Sequence, residues 1–316
     1  MARAVVRPTH DSAVIRTGAA RPLLRRLRLA DYLFLLPALI FVTTTMLYPV
    51  YSNLRMSLHD VSVITFLRGD APFVGLANYQ ALFSDPSFRH AFLLSLLFTA
   101  GSLFFQFTIG FALALFFNQP FPGNGLLRAL LLLAWLLPAV VSGSLFRWML
   151  DGDYGVLNFA LVQLGLLSDG RYWLIDPGTA LAGTILANVW VGVPFNMALL
   201  LAGLQGIPTV LYEAARVDGA SSWQQFRSLT LPLMRPVALS VLLLGLIYTF
   251  KVFDLIYVMT KGGPVDATTT LPLYTYKLTF EFFRFGHGAT AATLLLLGLV
   301  LVALLYLWVA RREEMA

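Results

Sequence analysis

The sequence predicts an all-α polytopic membrane protein with six transmembrane helices. Three observations carry this. Of the 316 residues, 58% are hydrophobic and only 12% are charged, about half the charged share of a soluble domain. The apolar residues cluster in runs, several of them longer than the ~18 uncharged residues that cross a bilayer. Between Arg89 and Arg128 there is no Lys, Arg, Asp or Glu. The length suits one bundle without a large soluble domain. There is no cysteine, which excludes disulfides, thiol chemistry and cysteine-based metal sites. His10, His59, His90 and His287 have no metal-ligand spacing, so no metal site is expected.

The first span is placed at 32–51, with Pro37 and Pro49 as kinks. The second covers 91–117. The third covers 129–150, with Pro138 in its middle and Arg147 near its end. The fourth covers 180–204 around Pro194, the fifth 236–259 and the sixth 289–310. A proline inside a span frees a backbone carbonyl, which is tolerable only where protein or a cavity covers it. Pro138 and Pro194 therefore point to the bundle interior. The loops on one side are 52–90, 151–179 and 260–288, with turn signals at Asp169-Gly170 and Gly262-Gly263-Pro264 and a short helix near 78–83. Trp148, Trp173 and Trp308 fall where interfacial aromatic belts are expected.

Residues 1–29 hold Arg3, Arg7, Arg16, Arg21, Arg25, Arg26 and Arg28 against one acid, Asp11. An Arg-rich, acid-poor start also suits a transit peptide. The run that follows is too long for a signal-peptide core, and no small-x-small cleavage site follows it. The preferred reading is a cytoplasmic tail before an uncleaved first span. Six spans put both termini on one side. That side carries 13 of the 22 Lys and Arg residues, including Arg128, Arg216, Arg227, Arg235, Arg311 and Arg312. The positive-inside rule makes it cytoplasmic. The net charge of +6 thus reads as orientation, and no nucleic-acid partner is expected.

The segment between spans four and five, 208–235, is the most structured polar stretch. Pro208 suits a first helical turn, 209–218 reads as helix, and Gly219 sits where a left-handed helix end belongs. Ser222-Trp223-Gln224-Gln225 reads as a capping box opening a second short helix, limited by Pro232 and Pro236. Ala214 and Ala215 offer little bulk, so this helix can sink into a partner's cleft, with Glu213 as a charged contact. It can equally be an interfacial helix-turn-helix with a weak Glu213–Arg216 surface pair. Spacing alone leaves both open.

Polar residues inside spans are candidates for function, because stranding them in lipid is costly. They are Gln106, Ser142, Ser144, Asn188, Asn196, Thr249, Lys251 and Asp254. Asn188, Gly192 and then Phe195 or Asn196 recur at helical steps and share a face. The competing reading is an ordinary interhelical hydrogen bond worth ~0.6 kcal/mol. Lys251 and Asp254 lie roughly 22–27 Å along the fifth span from Pro236. They read as an ion pair or a partner contact near the outer boundary, ahead of a ligand site.

Glu213-Ala214-Ala215, then Gly219, then Leu229-x-Leu231-Pro232 resembles the EAA loop of permease subunits of bacterial ABC importers. That family usually has Ile where Leu229 stands. Tyr212 to Ala220, Asn188-Val189-Trp190, Phe195-Asn196-Met197 and Phe253-Asp254-Leu255-Ile256-Tyr257 are similar to its carbohydrate-importing branch. So are Val74 to Tyr79, Asp85-Pro86 and Gly262-Gly263-Pro264. The likeness runs from about residue 30 to 312 and favours the first permease of the maltose, lactose, glycerol-phosphate and trehalose type. It implies a heterodimer with a second permease, two ATPase subunits, an extracytoplasmic sugar-binding protein and a prokaryotic inner membrane. It implies a tail at 1–29, a first helix and outer loop at 30–88, a permease core at 89–312 and a short tail at 313–316. Glu213, Ala214, Ala215, Asp218, Gly219 and Pro232 would couple the chain to the ATPase. ATP and Mg would be bound by that partner, since this chain has no phosphate-binding loop. The chain itself would hold no cofactor and no catalytic residue.

The same resemblance places sugar contacts at Trp135, Ala139, Asn188, Val191, Gly192, Phe195, Gly245, Thr249 and Val252, with Asn196 beside them. The side chains of Ala139, Val191, Gly245 and Val252 cannot hydrogen-bond. Trp135 and Phe195 are left for stacking, Asn188 and Thr249 for polar contact. Two other classes compete. A membrane enzyme would call for an acidic pair such as Asp151-x-Asp153, where Gly152 and Tyr154-Gly155 favour a turn. A passive channel or receptor would leave the Glu213 segment without a purpose.

Overall fold

The structure, a computed structural model, describes residues 29–314, with side chains over 33–308. The Arg-rich tail at 1–28 lies outside the described residues. Among the described residues every regular segment is helical, and the one β-type contact is an isolated bridge between His59 and Phe73. Contacts divide the chain at Pro49 and Val50 into two units.

The first unit contains α1 (Leu29–Val42) and a wide π turn (Thr43–Leu47). Helix α2 (Tyr48–Ser57) continues without a break. The expected kink at Pro49 is instead preceded by the π turn, in which the Tyr48 N–H donates back to Thr43 O. A proline has no N–H, and widening the ladder just before it makes room for the ring.

The second unit is the bundle. Short helices α3 (Val63–Arg68) and α4 (Ala77–Ser84) lead into α5 (Pro86–Phe117). The short helix expected near 78–83 is α4. Helix α5 starts at Asp85-Pro86, where the Asp85 carboxylate accepts from the Ser87 N–H at 2.8 Å. Helix α9 (Pro177–Gln205) starts the same way, with Asp176 accepting from Gly178 at 2.9 Å. In both, the acid satisfies an orphan N–H and proline presets the first turn. The spans therefore begin earlier than their apolar runs.

The third span differs from expectation. It is two helices, α6 (Asn124–Leu136) and α7 (Ala139–Met149), bent by 95° at Leu137-Pro138. Pro138 caps α7 instead of sitting inside a straight helix. Among the described residues five helices are long and apolar enough to cross a membrane, and six spans result if the bent pair is one of them. Helix α8 (Val156–Gln163) follows in the loop.

Helix α9 is the axis. Ala180, Thr184, Ala187, Asn188, Asn196, Met197 and Leu200 are all buried along it. It meets α5 closely because Gly110 presents no side chain; a Cβ there would stand 2.8 Å from Asn196 Cβ. Small residues at helix crossings allow such approach. After α9 come α10 (Thr209–Val217), α11 (Ser222–Gln225), a π turn (Phe226–Thr230) and α12 (Leu231–Phe250). The second short helix expected to stop at Pro232 and Pro236 instead runs straight on. The Leu231 N–H reaches back to Phe226 O one step before Pro232, the device used before Pro49.

The fifth span ends at Phe250, short of the expected 259. A break at Lys251–Phe253 separates it from α13 (Asp254–Thr260). Helix α7 packs on α13: Gly143 lies so close that a Cβ would meet Leu255 O at 3.2 Å. Phe146, Leu150, Ala187, Leu255 and Met259 form a core there. Helix α14 (Leu271–Tyr276), a π turn (Lys277–Glu281) and α15 (Phe285–Glu314) complete the chain.

Candidate functional site

Both broken spans open at one place. Trp135 stands just before the Leu137-Pro138 break, Thr249 stands just before the break after Phe250, and Val252 lies in that break. Together with the middle of α9 they line a cavity of about 240 Å³. Irregular backbone at membrane depth survives only where protein covers it or a cavity solvates it, so two breaks around one cavity belong together.

All six pocket residues expected from sequence line this cavity: Trp135, Asn188, Gly192, Phe195, Asn196 and Thr249. Val191, Gly245 and Val252 line it too, whereas Ala139 does not. Gln106 and Tyr248 also line it. Gln106 was visible as a polar residue inside a span, but nothing in the sequence brought α5 against α9. Tyr248 had no signal beyond its neighbour Thr249.

The cavity has an aromatic wall and an amide wall. The Trp135 and Phe195 rings stack at 5.4 Å between centroids, and Tyr248 meets Phe195 edge-on at 5.8 Å. Opposite, Gln106 Nε2 donates to the Asn188 carbonyl at 2.8 Å. Asn196 Nδ2 donates to Gly192 O at 2.9 Å. Asn188, 6% exposed, has its Nδ2 unpartnered, as is Asn196 Oδ1. A buried amide costs free energy until it finds a partner, so these two groups suit a ligand rich in hydroxyls. Gly192 makes room: a Cβ there would fall 2.3 Å from Gln106 Cδ.

Lys251 and Asp254 form no ion pair among the described residues, which leaves a partner contact as the other expected role. The helix break removes the regular spacing between them. Lys251 Nζ instead lies 4.9 Å from the centroid of the Tyr248 ring.

The second candidate region is the knuckle at α10. Glu213, Ala214, Asp218 and Gly219 are exposed, Ala215 is half-buried and Pro232 is exposed. Gly219 is left-handed at φ 79°. The Ala220 N–H donates to Ala215 O at 2.9 Å and the Gly219 N–H to Arg216 O at 3.1 Å, which is the Schellman closure. The capping box that follows uses Ser221 and Gln224, one residue earlier than expected, because Ser221 and Ser222 both offer the pattern. No Glu213–Arg216 pair forms among the described residues; Arg216 Nε donates to Tyr212 O at 3.3 Å. The Tyr212 and Thr230 hydroxyls, 2.9 Å apart, tie α10 to the long helix. Val210 and Val217, the latter 88% exposed, leave the outer face of α10 apolar and bare.

The Asp151-x-Asp153 pair is a turn. Asp151 accepts from the Asp153 and Tyr154 N–H groups, and Asp153 accepts from the Tyr172 hydroxyl at 2.6 Å. Among the described residues no His, Cys, Asp or Glu cluster has metal-binding geometry.

Comparison with known proteins agrees with this architecture. The chain is 38% identical over 284 residues to the trehalose/maltose transport system permease protein MalF of Thermococcus litoralis, covering 89% of this chain and 93% of that protein. It is 36% identical over 291 residues to the sulfoquinovosyl glycerol transport system permease protein SmoG of Agrobacterium fabrum, covering 91% and 92%. A chain in the crystal structure of a bacterial ABC transporter involved in importing the acidic polysaccharide alginate superposes with a TM-score of 0.77 at 25% identity. That match covers 90% of this chain and 95% of the other. The family model for the inner membrane component of binding-protein-dependent transport systems matches residues 106–314. This chain belongs to that family of inner membrane transport components.

Proposed function

We propose that the chain is a permease subunit of an ATP-driven sugar importer. It forms half of a translocation path with a second, different permease. It takes sugar from an extracytoplasmic binding protein and lies over two ATPase subunits that bind ATP and Mg. The sugar assignment rests on the names of the relatives and on the cavity's chemistry. Stacked rings suit the apolar face of a pyranose, and unpartnered amides suit its hydroxyls. Trp135, Phe195, Asn188, Asn196 and Thr249 would make those contacts, with Gly192 leaving room for Gln106 beside them. Both termini and the Glu213 knuckle would face the cytoplasm.

One observation carries the coupling. The helix that begins beside the knuckle at Ser222 continues to Phe250, and Gly245 and Thr249 near its far end line the cavity. Its 29 residues make a lever of roughly 44 Å by helical rise. Movement of an ATPase partner gripping Glu213, Ala214, Ala215, Asp218 and Gly219 would thus reach the cavity through one element, with Pro232 at its root. The test is uptake and ATPase activity of the whole complex carrying Glu213→Ala or Gly219→Val. Both variants should remain in the membrane yet lose most sugar uptake per ATP hydrolysed. Wild-type uptake with normal ATPase coupling in both would remove the knuckle from the mechanism.

A further inference from the structure

The cavity lining contains no Asp or Glu. It offers donors: the buried Asn188 Nδ2 without a partner, the Thr249 hydroxyl and the Trp135 indole N–H. A cation lies against one of its lining residues. Lys251 is exposed, lies in the break after α12 and places Nζ 4.9 Å from the Tyr248 ring centroid. Tyr248 is itself a wall of the cavity, so the ammonium stands against a residue that lines the site. No carboxylate among the described residues neutralises it, although Asp254 is only three residues away. A lysine beside a membrane-embedded cavity is costly to keep unless it serves a ligand, a partner or a path. A single uncompensated charge at the rim of a low-dielectric cavity raises the local concentration of the opposite charge.

We infer that this site takes an anionic sugar, one bearing a carboxylate, sulfonate or phosphate ester, with Lys251 as the specificity-determining residue for the charged group. The sugar ring packs on the Trp135–Phe195 wall and its acid group projects past Tyr248 toward Nζ. This rests on the cavity being the sugar site. A neutral sugar would use the same wall and amides but make no use of Lys251.

The test is ligand binding by the intact complex of this chain, its partner permease and the ATPase, followed by isothermal titration calorimetry. The probes are maltose and cellobiose, each beside its C6-uronate and its C6-phosphate. Wild-type protein should bind the anionic member of a pair about tenfold tighter than the neutral one, the size of one charge-assisted contact. Added salt should narrow the gap. Lys251→Gln should erase it without altering the neutral affinity, and Lys251→Arg should restore most of it. An unchanged ratio in Lys251→Gln overturns the inference, as does binding of neutral sugars alone; in both cases the sugar site stands. Loss of the partner permease from the Lys251→Gln complex also overturns it, assigning the lysine to the subunit interface. Binding of none of the probes by wild-type protein overturns both the charge preference and the cavity as the sugar site.

Discussion

Gly192 is the residue on which the cavity depends most directly. Gln106 fills the space its missing side chain leaves and donates to the Asn188 carbonyl. Gly192→Ala should therefore expel Gln106 and cost about 1–3 kcal/mol of stability, as overpacking does. Asn188→Ala removes an amide that has no protein partner, so it should leave folding almost unchanged. It should instead raise the KM for uptake by about tenfold, the worth of one good hydrogen bond. Thermal unfolding and uptake kinetics separate the two: Gly192→Ala lowers both, Asn188→Ala only the second. Unchanged uptake by Asn188→Ala at limiting sugar would take that amide out of the binding site. The pattern Asn188, Gly192, Asn196 was legible because a helix repeats its faces every three to four residues. Gln106 was not, because its role comes from a crossing between α5 and α9, and one chain's periodicity carries no information about which faces meet.

At the scale of elements, the joint between α10 and the long helix is the Tyr212–Thr230 hydroxyl contact. Tyr212→Phe leaves the buried Thr230 hydroxyl short of a partner, at a cost of about 1 kcal/mol. The expected outcome is normal ATP hydrolysis with less sugar moved per ATP; an unchanged ratio would show that the joint transmits nothing. The loop after α13 makes a second prediction. Lys277 Nζ is 2.7 Å from Asp266 and 3.1 Å from Thr269, both in the loop that follows Gly262. Lys277 holds the Asp266 carboxyl below its ordinary range, against burial and with help from Thr269. A depressed carboxylate contributes stability above its unfolded pKa and loses it as pH falls through the folded one. Hydrogen exchange at Thr268 and Thr269, corrected for intrinsic rates, should quicken as the pH drops below about 4. Asp266→Asn should already exchange fast at neutral pH. A flat profile in the wild type would deny the ion pair any role.

At the scale of the whole molecule, hydropathy was enough to find the spans, because a bilayer demands length and apolarity and little else. It could not find their interruptions. Residues 129–150 are apolar on both sides of Pro138, and a proline is as compatible with a kink as with the 95° bend observed. The break at Lys251–Phe253 carries no proline or glycine at all; it is held by α7 packing on α13, a contact made far apart in sequence. Pro49, expected as a kink, and Pro232, expected to limit a short helix, are each preceded by a π turn that widens the ladder. Six of the cavity's lining residues could thus be named from the sequence, while Gln106, Tyr248 and the reason there is a cavity lay in the tertiary structure.

Since the chain has no cysteine, one introduced thiol reports its own position. The decisive measurement places cysteine at Val217, bare on the α10 face, in the assembled transporter. The thiol should react with an impermeant maleimide only from the cytoplasmic side and crosslink to the ATPase subunit. Uptake should stop while the crosslink holds and return when it is cleaved. Labelling from the outer side, or full uptake with the crosslink intact, would contradict a knuckle that drives the cavity.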